Sequence, residues 1–203
     1  PALLASFRTA SGYLLNLVND VLDMAAIDNG KMTIRHVPFS LNEVVSEVSG
    51  LFYSQCRMKR IYFYFRVDNV THEYLVGDAL RLNQILTNLL SNAVKFTIHG
   101  TVTLSVSDDG DKIRILVKDT GCGMKKEFQE IIFQPFTQED TTYGRTQTGT
   151  GLGMAIISEL VQLLNGSISV QSIPDKGTTF TVELPLHADA DQNVPAVPSP
   201  QQQ

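Results

Sequence analysis

The sequence predicts an α+β fold in which helices back a mixed, mainly antiparallel sheet, with one isolated helix ahead of it. Apolar residues recur at helical spacing at the start of the chain. Further on, two pairs of β-rich segments flank the turn signals Asp109-Gly110 and Pro174-Asp175, which are typical of antiparallel hairpins. Amphipathic helical segments between the strands supply the second layer.

The composition is that of one soluble globular domain. The chain has 203 residues, of which 43% are hydrophobic and 18% charged, enough for one core with short extensions. A formal net charge of -5 provides no basic field for a nucleic-acid backbone, so no nucleic-acid partner is expected. Cys56 and Cys122 lack metal-ligand spacing and fit a reduced, cytoplasmic compartment. No apolar run approaches the roughly 20 residues of a membrane span, so no direct membrane contact is expected.

The first 30 residues are predicted to form a domain of their own, a single helix that ends at Asn29-Gly30. Its apolar residues alternate steps of four and three, as in a helical bundle: Leu3, Phe7, Ala10, Leu14, Leu17, Val21 and Met24. A second row widens this stripe: Leu4, Ser11, Val18, Leu22 and Ala25. A bundle with outside partners is the favoured interpretation, and packing on the chain's own domain is the alternative.

The predicted catalytic domain covers residues 31–187 and the last residues, 188–203, form a Pro- and Gln-containing linker. Strands are expected at 32–37, 61–67, 74–76, 101–107, 112–118, 167–172 and 178–184, the second of them buried. Helices are expected after the capping box of Ser40 and Glu43, after Asp78, and at 152–164. Residues 133–150 are expected to have irregular structure.

Polar residues interrupt the apolar pattern of the helix after Asp78. Asn88 and Asn92 are four apart and Lys95 follows three later, which places two amides and an ammonium on one face, opposite the leucines. Amide oxygens suit Mg²⁺, and a lysine adds a point charge for phosphates. A solvated polar face is the alternative for this helix taken alone.

Two further segments have the residue types of a site for a purine base. Asp119 ends a strand, where its carboxylate can accept a hydrogen bond from the exocyclic amine of adenine, and Gly121 and Gly123 allow the backbone to approach the ring. In the last hairpin, the Thr178 hydroxyl can reach the base directly or through water. A plain Asp-Gly turn and an ordinary strand residue are the alternatives.

The fourth segment, residues 148–154 (TGTGLGM), is glycine-rich and leads into a helix, which makes it a candidate anion site. It differs from a dinucleotide fingerprint because no strand directly precedes it. It differs from a P-loop because no Gly-Lys-Ser/Thr ends it.

In this order the four segments resemble the GHKL ATP-binding fold, in the branch of sensor histidine kinases of two-component systems. Residues 88–96 (NLLSNAVKF) resemble the N box, the Asp119 loop the first glycine box, 133–136 (FQPF) the F box and 149–153 the second glycine box. The resemblance covers about 32–185 and implies a two-layer α/β sandwich of the GHKL (Bergerat) type. The first helix, which carries residues 19–23 (NDVLD) in its later part, resembles the second helix of the family's dimerisation and phosphoacceptor bundle.

The resemblance implies a site for ATP and Mg²⁺. Asn92 would hold the metal with help from Asn88, Lys95 would contact phosphate, and Arg145 in the lid would steady the transferring phosphoryl group. The implied ATP-binding residues are Asn92, Phe96, Asp119, Gly121, Gly123, Met124, Gly149, Thr150, Gly151, Leu152, Gly153 and Thr178.

The resemblance also distinguishes transfer of the γ-phosphoryl group to a protein from hydrolysis of ATP. Family hydrolases such as DNA gyrase place a water-activating glutamate one turn before the metal asparagine, where this chain has Asn88, which cannot act as a base near neutral pH. A protein histidine kinase is therefore favoured over an ATP hydrolase. A nucleotide-binding regulatory module without phosphotransfer remains an alternative of another class.

The implied partners lie outside the chain. None of His36, His72, His99 and His187 lies in the family's acceptor motif, so the acceptor histidine is expected upstream of Pro1. The resemblance further implies a homodimeric, membrane-anchored full-length sensor with this segment in the cytoplasm. Its other partner would be a response regulator or a fused receiver domain.

Overall fold

A computed structural model describes residues 2–68, 70, 74–108, 112–138, 150–185 and 187–188. In chain order, the elements are α1 Ala2–Asp28, β1 Val37–Ser40, α2 Leu41–Lys59, β2 Tyr62–Asp68, β3 Tyr74–Gly77, α3 Ala79–Phe96, β4 Thr101–Asp108, β5 Ile113–Asp119, α4 Lys126–Gln129, α5 Gly153–Leu163, β6 Ser167–Ile173, β7 Gly177–Leu184 and β8 His187–Ala188.

The main sheet has five strands in the order β2-β4-β5-β7-β6. β2 pairs parallel to β4, and the other three pairings are antiparallel. The predicted mixed, mainly antiparallel sheet is therefore confirmed. A second, three-stranded sheet has the order β1-β3-β8. It contains the strand predicted at 74–76, but the sheet itself was not predicted, because β1 and β8 are too short to give a periodic signal.

The core lies between one face of the main sheet and the helices α2, α3 and α5. Alternate residues of β4, β5 and β7 are buried, as the period of two in a strand requires. On α3 the apolar residues Leu82, Ile85, Leu86, Leu89 and Leu90 are buried against this face. Most of the residues that alternate with the buried ones on these strands are partly or fully exposed, as expected for the open face of the predicted two-layer sandwich.

The capping prediction for α2 is confirmed, since the Ser40 hydroxyl accepts the backbone N–H of Glu43 at 3.2 Å. The strand predicted at 32–37 is wrong: residues 31–36 have no regular structure and the strand begins at Val37. Met32 and Ile34 still pack on the core. Their alternation therefore reflects an extended segment without a ladder partner among the described residues.

The strand predicted at 61–67 is confirmed as β2, but it is not buried. β2 is an edge strand, in which Tyr62 is 70% and Tyr64 55% exposed, while Phe63 packs on the core. Its aromatic and β-branched composition predicted the strand correctly. That composition does not distinguish a central strand from an edge.

The first helix packs in part on the chain's own domain, which was the alternative arrangement for it, and the bundle with outside partners stays a prediction. Met24 and Ile27 pack on the core of the main domain, whereas Leu14, Val18 and Leu22 are 61%, 44% and 62% exposed. The helix ends as predicted, and Gly30 has a positive φ of 62°. The C-terminal part of α1 therefore packs on the main domain. The apolar side chains of Leu14, Val18 and Leu22 before it form a solvent-exposed stripe.

Within the described part of the chain, no helix is both long enough and apolar enough to cross a membrane. The Asp109-Gly110 turn, His72 and the tail from 189 onwards lie outside the described residues. The strands that flank Asp109-Gly110 do pair antiparallel, and the 174–176 turn joins β6 to β7 as predicted.

Candidate nucleotide site

Four of the predicted site residues lie on α3: Asn88, Asn92, Lys95 and Phe96. The helix begins where the carboxylate of Asp78 accepts the backbone N–H groups of Leu80 and Arg81. Asn88 and Asn92 are half-buried and one turn apart, as predicted. They occupy the edge of the helix face whose leucines are in the core.

Lys95 lies in the last turn of α3. Its Nζ atom is 4.9 Å from the centre of the Phe96 ring. Burial lowers the pKa of the Lys95 ammonium from its ordinary value of 10.5, because partial removal from water disfavours the charged form. A bound anion would favour that charged form.

The second glycine-rich segment is brought to α3 by α5. The Asn92 side-chain amide donates from Nδ2 to the sulphur of Met154, 3.3 Å away, in the first turn of α5. A thioether accepts hydrogen bonds but cannot donate them, so this contact turns the amide oxygen of Asn92 away from Met154. An amide oxygen is a hard donor of the kind that Mg²⁺ takes.

The N-terminus of α5 has the features of an anion site. Among the described residues no side chain caps it, and Leu152 at the N-cap position is 2% exposed. The Leu152 N–H donates to the Thr150 hydroxyl at 3.1 Å. At Gly153 an added Cβ would meet no atom of the described residues within 4 Å, so their packing leaves space above the first turn.

Asp119, the last residue of β5, is 5% exposed. Its carboxylate accepts the backbone N–H of Gly121 at 2.8 Å and the backbone N–H of Thr178. Burial raises the pKa of this carboxyl above its ordinary value of 3.8, and the two hydrogen bonds oppose that rise. A buried acidic group with two fixed donors is held in one orientation.

The loop after Asp119 is lodged between α3 and the β6–β7 turn. The Cys122 N–H donates to the carbonyl of Phe96 at 3.3 Å, and a Cβ on Gly121 would collide with the same carbonyl oxygen. Gly123 has a φ of 65° and a Cβ there would collide with the Ile173 carbonyl. Both predicted glycines are therefore required by close backbone contact.

Two residues that the sequence did not single out complete this side. Ser172 contacts the Thr178 hydroxyl at 2.9 Å and accepts the Met124 N–H at 2.8 Å. Gln129 bonds both backbone groups of Ser172, at 2.9 and 3.1 Å. Neither belongs to a recognisable motif, and their proximity depends on the hairpin register. We call the following residues the Asp119 cluster: Asp119, Gly121, Gly123, Met124, Gln129, Ser172 and Thr178.

The other side, which we call the Asn92 cluster, contains Asn88, Asn92, Lys95, Thr150, Leu152, Gly153 and Met154. Its link to α1 was not predicted. The Thr150 hydroxyl donates to the Asp20 carboxylate at 2.9 Å. Burial raises the pKa of Asp20, against the effect of this hydrogen bond, and the nearby Asp23 adds to the rise. Asp23 also accepts from Gln84 at 2.7 Å.

The predicted residues therefore form two groups joined by α3, from Asn92 to Phe96. Gly151 has a φ of 72°, and a Cβ there would meet the Phe136 backbone at 2.9 Å, so the predicted F box lies beside the second glycine segment. Arg145 and Gly149 lie outside the described residues, and their roles remain predictions. Among the histidines, His36 and His99 are exposed.

Comparison with known proteins agrees with this arrangement. Residues 77–188 match the family model of the histidine kinase-, DNA gyrase B- and HSP90-like ATPases. The sensor histidine kinase RcsC of Escherichia coli is 37% identical over 185 residues, which cover 91% of this chain and 20% of RcsC. The chain thus spans about a fifth of the length of this curated relative.

Solved structures of two histidine kinases share the fold. Full-length ShkA in complex with AMPPNP has a TM-score of 0.81 and 32% identity, covering 93% of this chain and 39% of ShkA. The catalytic domain of the histidine kinase ThkA has a TM-score of 0.63 and 32% identity, covering 76% of this chain and 96% of that domain. ThkA has also been solved with its response regulator TrrA, at 26% identity and a TM-score of 0.67, covering 88% of this chain and 48% of that one.

The match to this ATPase family and the likeness to ShkA, which was solved with AMPPNP, identify an ATP-binding domain. The chain belongs to the histidine kinase-, DNA gyrase B- and HSP90-like ATPase family. Its relatives RcsC, ShkA and ThkA place it in the histidine kinase branch, as the resemblance implied.

Proposed function

We propose that this chain binds Mg·ATP and donates the γ-phosphoryl group to a histidine on a dimerisation helix that is not among its own residues. The observation that carries the proposal is Asn88. It lies on α3 one turn before Asn92, where the family's hydrolases have a glutamate. An amide cannot take a proton from water near neutral pH, so the site favours keeping ATP intact until a better nucleophile arrives.

The described residues fit both ATP and Mg²⁺. The base would enter the Asp119 cluster, where the buried carboxylate accepts from the exocyclic amine. The phosphates would lie at the uncapped N-terminus of α5 and near Lys95. The amide oxygens of Asn92 and Asn88 are hard donors of the type that Mg²⁺ takes together with water and phosphate oxygens.

Bound Mg²⁺ would supply charge neutralisation at the phosphates. The residues of this chain do the rest. Lys95 adds a positive charge at the phosphates, and the first backbone N–H groups of α5 orient them. Arg145 remains our candidate for contacting the transferred group. An incoming imidazole attacks the γ-phosphorus in line, and the bond to the bridging oxygen of ADP breaks with its electron pair.

The partners of the whole protein follow from the same proposal. The open stripe on α1, with Leu14, Val18 and Leu22 exposed, would pack in a homodimeric bundle that carries the acceptor histidine. Phosphate would then pass to a response regulator or receiver domain; ThkA has been solved with such a regulator. Residues 1–30, 31–187 and 188–203 would be the bundle helix, the catalytic domain and a linker, in a cytoplasmic part of a membrane-anchored sensor.

Transfer to a separate acceptor tests the proposal. The chain is mixed with Mg·[γ-³²P]ATP and a purified dimerisation bundle from a sensor kinase of this branch. We expect acid-labile, base-stable label on the bundle and none on the chain. A bundle whose acceptor histidine is replaced by glutamine is the control.

Two outcomes would replace the proposal. ATP binding without label on any bundle would favour a regulatory module. Steady release of phosphate without a bundle, lost in Asn88→Ala, would favour a hydrolase.

A further inference from the structure

The hydroxyl of Ser172 lies where the Asp119 loop meets the β6–β7 hairpin. It accepts the backbone N–H of Met124 at 2.8 Å and lies 3.0 Å from the carbonyl oxygen of Gly177 and 2.9 Å from the hydroxyl of Thr178. Ser172 is half-buried, and Thr178 is 7% exposed. The Ser172 side chain thus links the loop after Asp119 to the β6–β7 hairpin by hydrogen bonds.

The hydrogen of the Ser172 hydroxyl can point to only one of these neighbours at a time. The Gly177 carbonyl can only accept, so a bond there requires the Ser172 hydrogen. The 2.9 Å contact between the two hydroxyls must then use the hydrogen of Thr178. In that arrangement Thr178 presents only lone pairs to any other group.

Gln129 holds Ser172 in this position. Its Nε2 donates to the carbonyls of Ser172 and Met124 at 2.9 and 3.1 Å, and its Oε1 accepts the Ser172 N–H at 3.1 Å. A neutral amide with its donors and acceptor all used has one preferred rotamer. The short helix α4 therefore clamps the edge strand β6 to the loop.

We propose that Ser172, clamped by Gln129, is a positioning residue that determines adenine selectivity by fixing the Thr178 hydroxyl as an acceptor. This inference rests on the proposed function, since it concerns how the same site reads its base. With Asp119 also an acceptor, the pocket offers two acceptors to the amine of adenine. Guanine would place a carbonyl oxygen at the same position. Neither the Asp119 carboxylate nor the Thr178 hydroxyl would donate a hydrogen bond to that oxygen.

Nucleotide selectivity tests the role of Ser172. Dissociation constants for ATP, GTP and purine riboside triphosphate, which lacks the exocyclic amine, are measured for the wild type and for Ser172→Ala. We expect Ser172→Ala to weaken ATP about fivefold to tenfold, to leave purine riboside triphosphate within about twofold, and to lower the preference for ATP over GTP, as for the loss of one oriented hydrogen bond. Ser172→Thr keeps a hydroxyl and should recover most of the selectivity.

Two controls separate positioning from general packing. Ser169→Ala removes an exposed hydroxyl from the same strand and should change neither affinity nor selectivity. Gln129→Ala should shift selectivity in the same direction as Ser172→Ala but less, whereas Gln171→Ala, at an exposed position of β6, should not. If Ser172→Ala fails to fold, the comparison of Gln129→Ala with Gln171→Ala still tests the proposal.

The outcomes are distinguishable from failure of the proposed function. A wild type that binds no ATP would overturn both the function and this inference. A wild type that binds ATP selectively, with Ser172→Ala and Gln129→Ala weakening all three nucleotides equally, would overturn the inference alone, because equal weakening is what a merely structural role produces.

Discussion

The two halves of the nucleotide site are held together in different ways. In the Asp119 cluster, the loop after β5 is tied to the β6–β7 hairpin by side chains of the same domain, through Ser172 and Gln129. In the Asn92 cluster, the contacts are a sulphur at 3.3 Å from the Asn92 amide and a carboxylate of α1 at 2.9 Å from Thr150. The first cluster is cross-linked by side chains of the main domain, and the second shares a hydrogen bond with α1.

Under the proposed function, this difference would give the two clusters different tasks, one at the base and one at the phosphates. A base pocket whose donors and acceptors are already fixed loses little entropy on binding, so it can supply selectivity. A phosphate site that shares a hydrogen bond with α1 can respond when α1 moves, since Thr150 would then lose its partner. The predictions below change residues of one cluster at a time, in order from the largest expected effect to the smallest.

The largest effect is expected from Asn92→Ala in the Asn92 cluster. Removing the amide oxygen removes our proposed metal ligand, and phosphotransfer to a supplied bundle should fall about a hundredfold or more, the scale for losing one charge-stabilising group. Label transfer at saturating ATP measures it. Ser91→Ala, at an exposed position of the same helix, is the control and should transfer normally. Transfer by Asn92→Ala within a few-fold of the wild type would show that the metal ligand lies elsewhere.

The next effect is expected from Asp119→Asn in the Asp119 cluster. An amide can turn its NH₂ group towards the amine of adenine, so ATP affinity should fall about tenfold to a hundredfold, as for a hydrogen bond to a charged group. GTP binding should change much less. Competition titration at neutral pH measures both, and an equal loss for both nucleotides would contradict the assignment of this carboxylate to the base.

The same residue should make ATP binding depend on pH. Burial raises the pKa of Asp119 above 3.8, and the amine of adenine requires the ionised form. ATP affinity should therefore be full above the raised pKa and be lost as the pH falls through it, at a higher pH than for an exposed aspartate. Asp119→Asn removes this group's titration but not that of the nucleotide, so the difference between the two profiles isolates Asp119. Parallel profiles would contradict the prediction.

A pair of glycine substitutions should separate stability from binding. Gly153→Ala meets no protein atom within 4 Å, so it should leave the free energy of unfolding unchanged or higher while weakening ATP several-fold. Gly121→Ala would collide with the Phe96 carbonyl and should cost about 1–3 kcal/mol of stability. Chemical denaturation and ATP titration of both variants check this. Unchanged ATP affinity in Gly153→Ala would place the phosphates away from the α5 N-terminus.

The smallest effect is expected from Asp20→Ala on α1. It removes the acceptor of the Thr150 hydroxyl and should change ATP affinity only about twofold to threefold, the scale of one neutral-to-charged hydrogen bond partly replaced by water. Adenosine binding, which involves no phosphates, should be unaffected. Amide hydrogen exchange at 150–154 should speed up. Asp28→Ala, at the exposed end of the same helix, is the control, and equal behaviour of the two variants would remove α1 from the phosphate site.

Much of the fold was predictable because its signals are local. The caps at Ser40 and Asp78 and the leucines of α3 are readable from neighbouring residues. The exposure of Tyr62 and Tyr64 was not, because a strand's position in the sheet depends on residues that pair with it across long separations. Likewise, the alternation at 32–37 could not show that no strand would pair there.

The same distinction between local and long-range signals applies to the residues of the candidate site. The spacing of Asn88 and Asn92 follows from the period of the helix, and Asp119 from the end of a strand. Ser172 and Gln129 belong to no motif, and 43 residues separate them along the chain. The partnership of Asp20 and Thr150 spans 130 residues. Such contacts depend on the assembled fold, so periodicity cannot reveal them.

The most direct test of the central claim is the fate of bound ATP when no acceptor is present. The wild-type chain is incubated with substoichiometric Mg·[γ-³²P]ATP, and free phosphate is followed over many hours beside the Asn88→Glu variant. We predict that the wild type keeps its ATP intact, and that restoring a carboxylate one turn before Asn92 makes phosphate release faster. Steady phosphate release by the wild type at a rate that Asn88→Glu does not raise would contradict the claim that Asn88 preserves ATP for transfer.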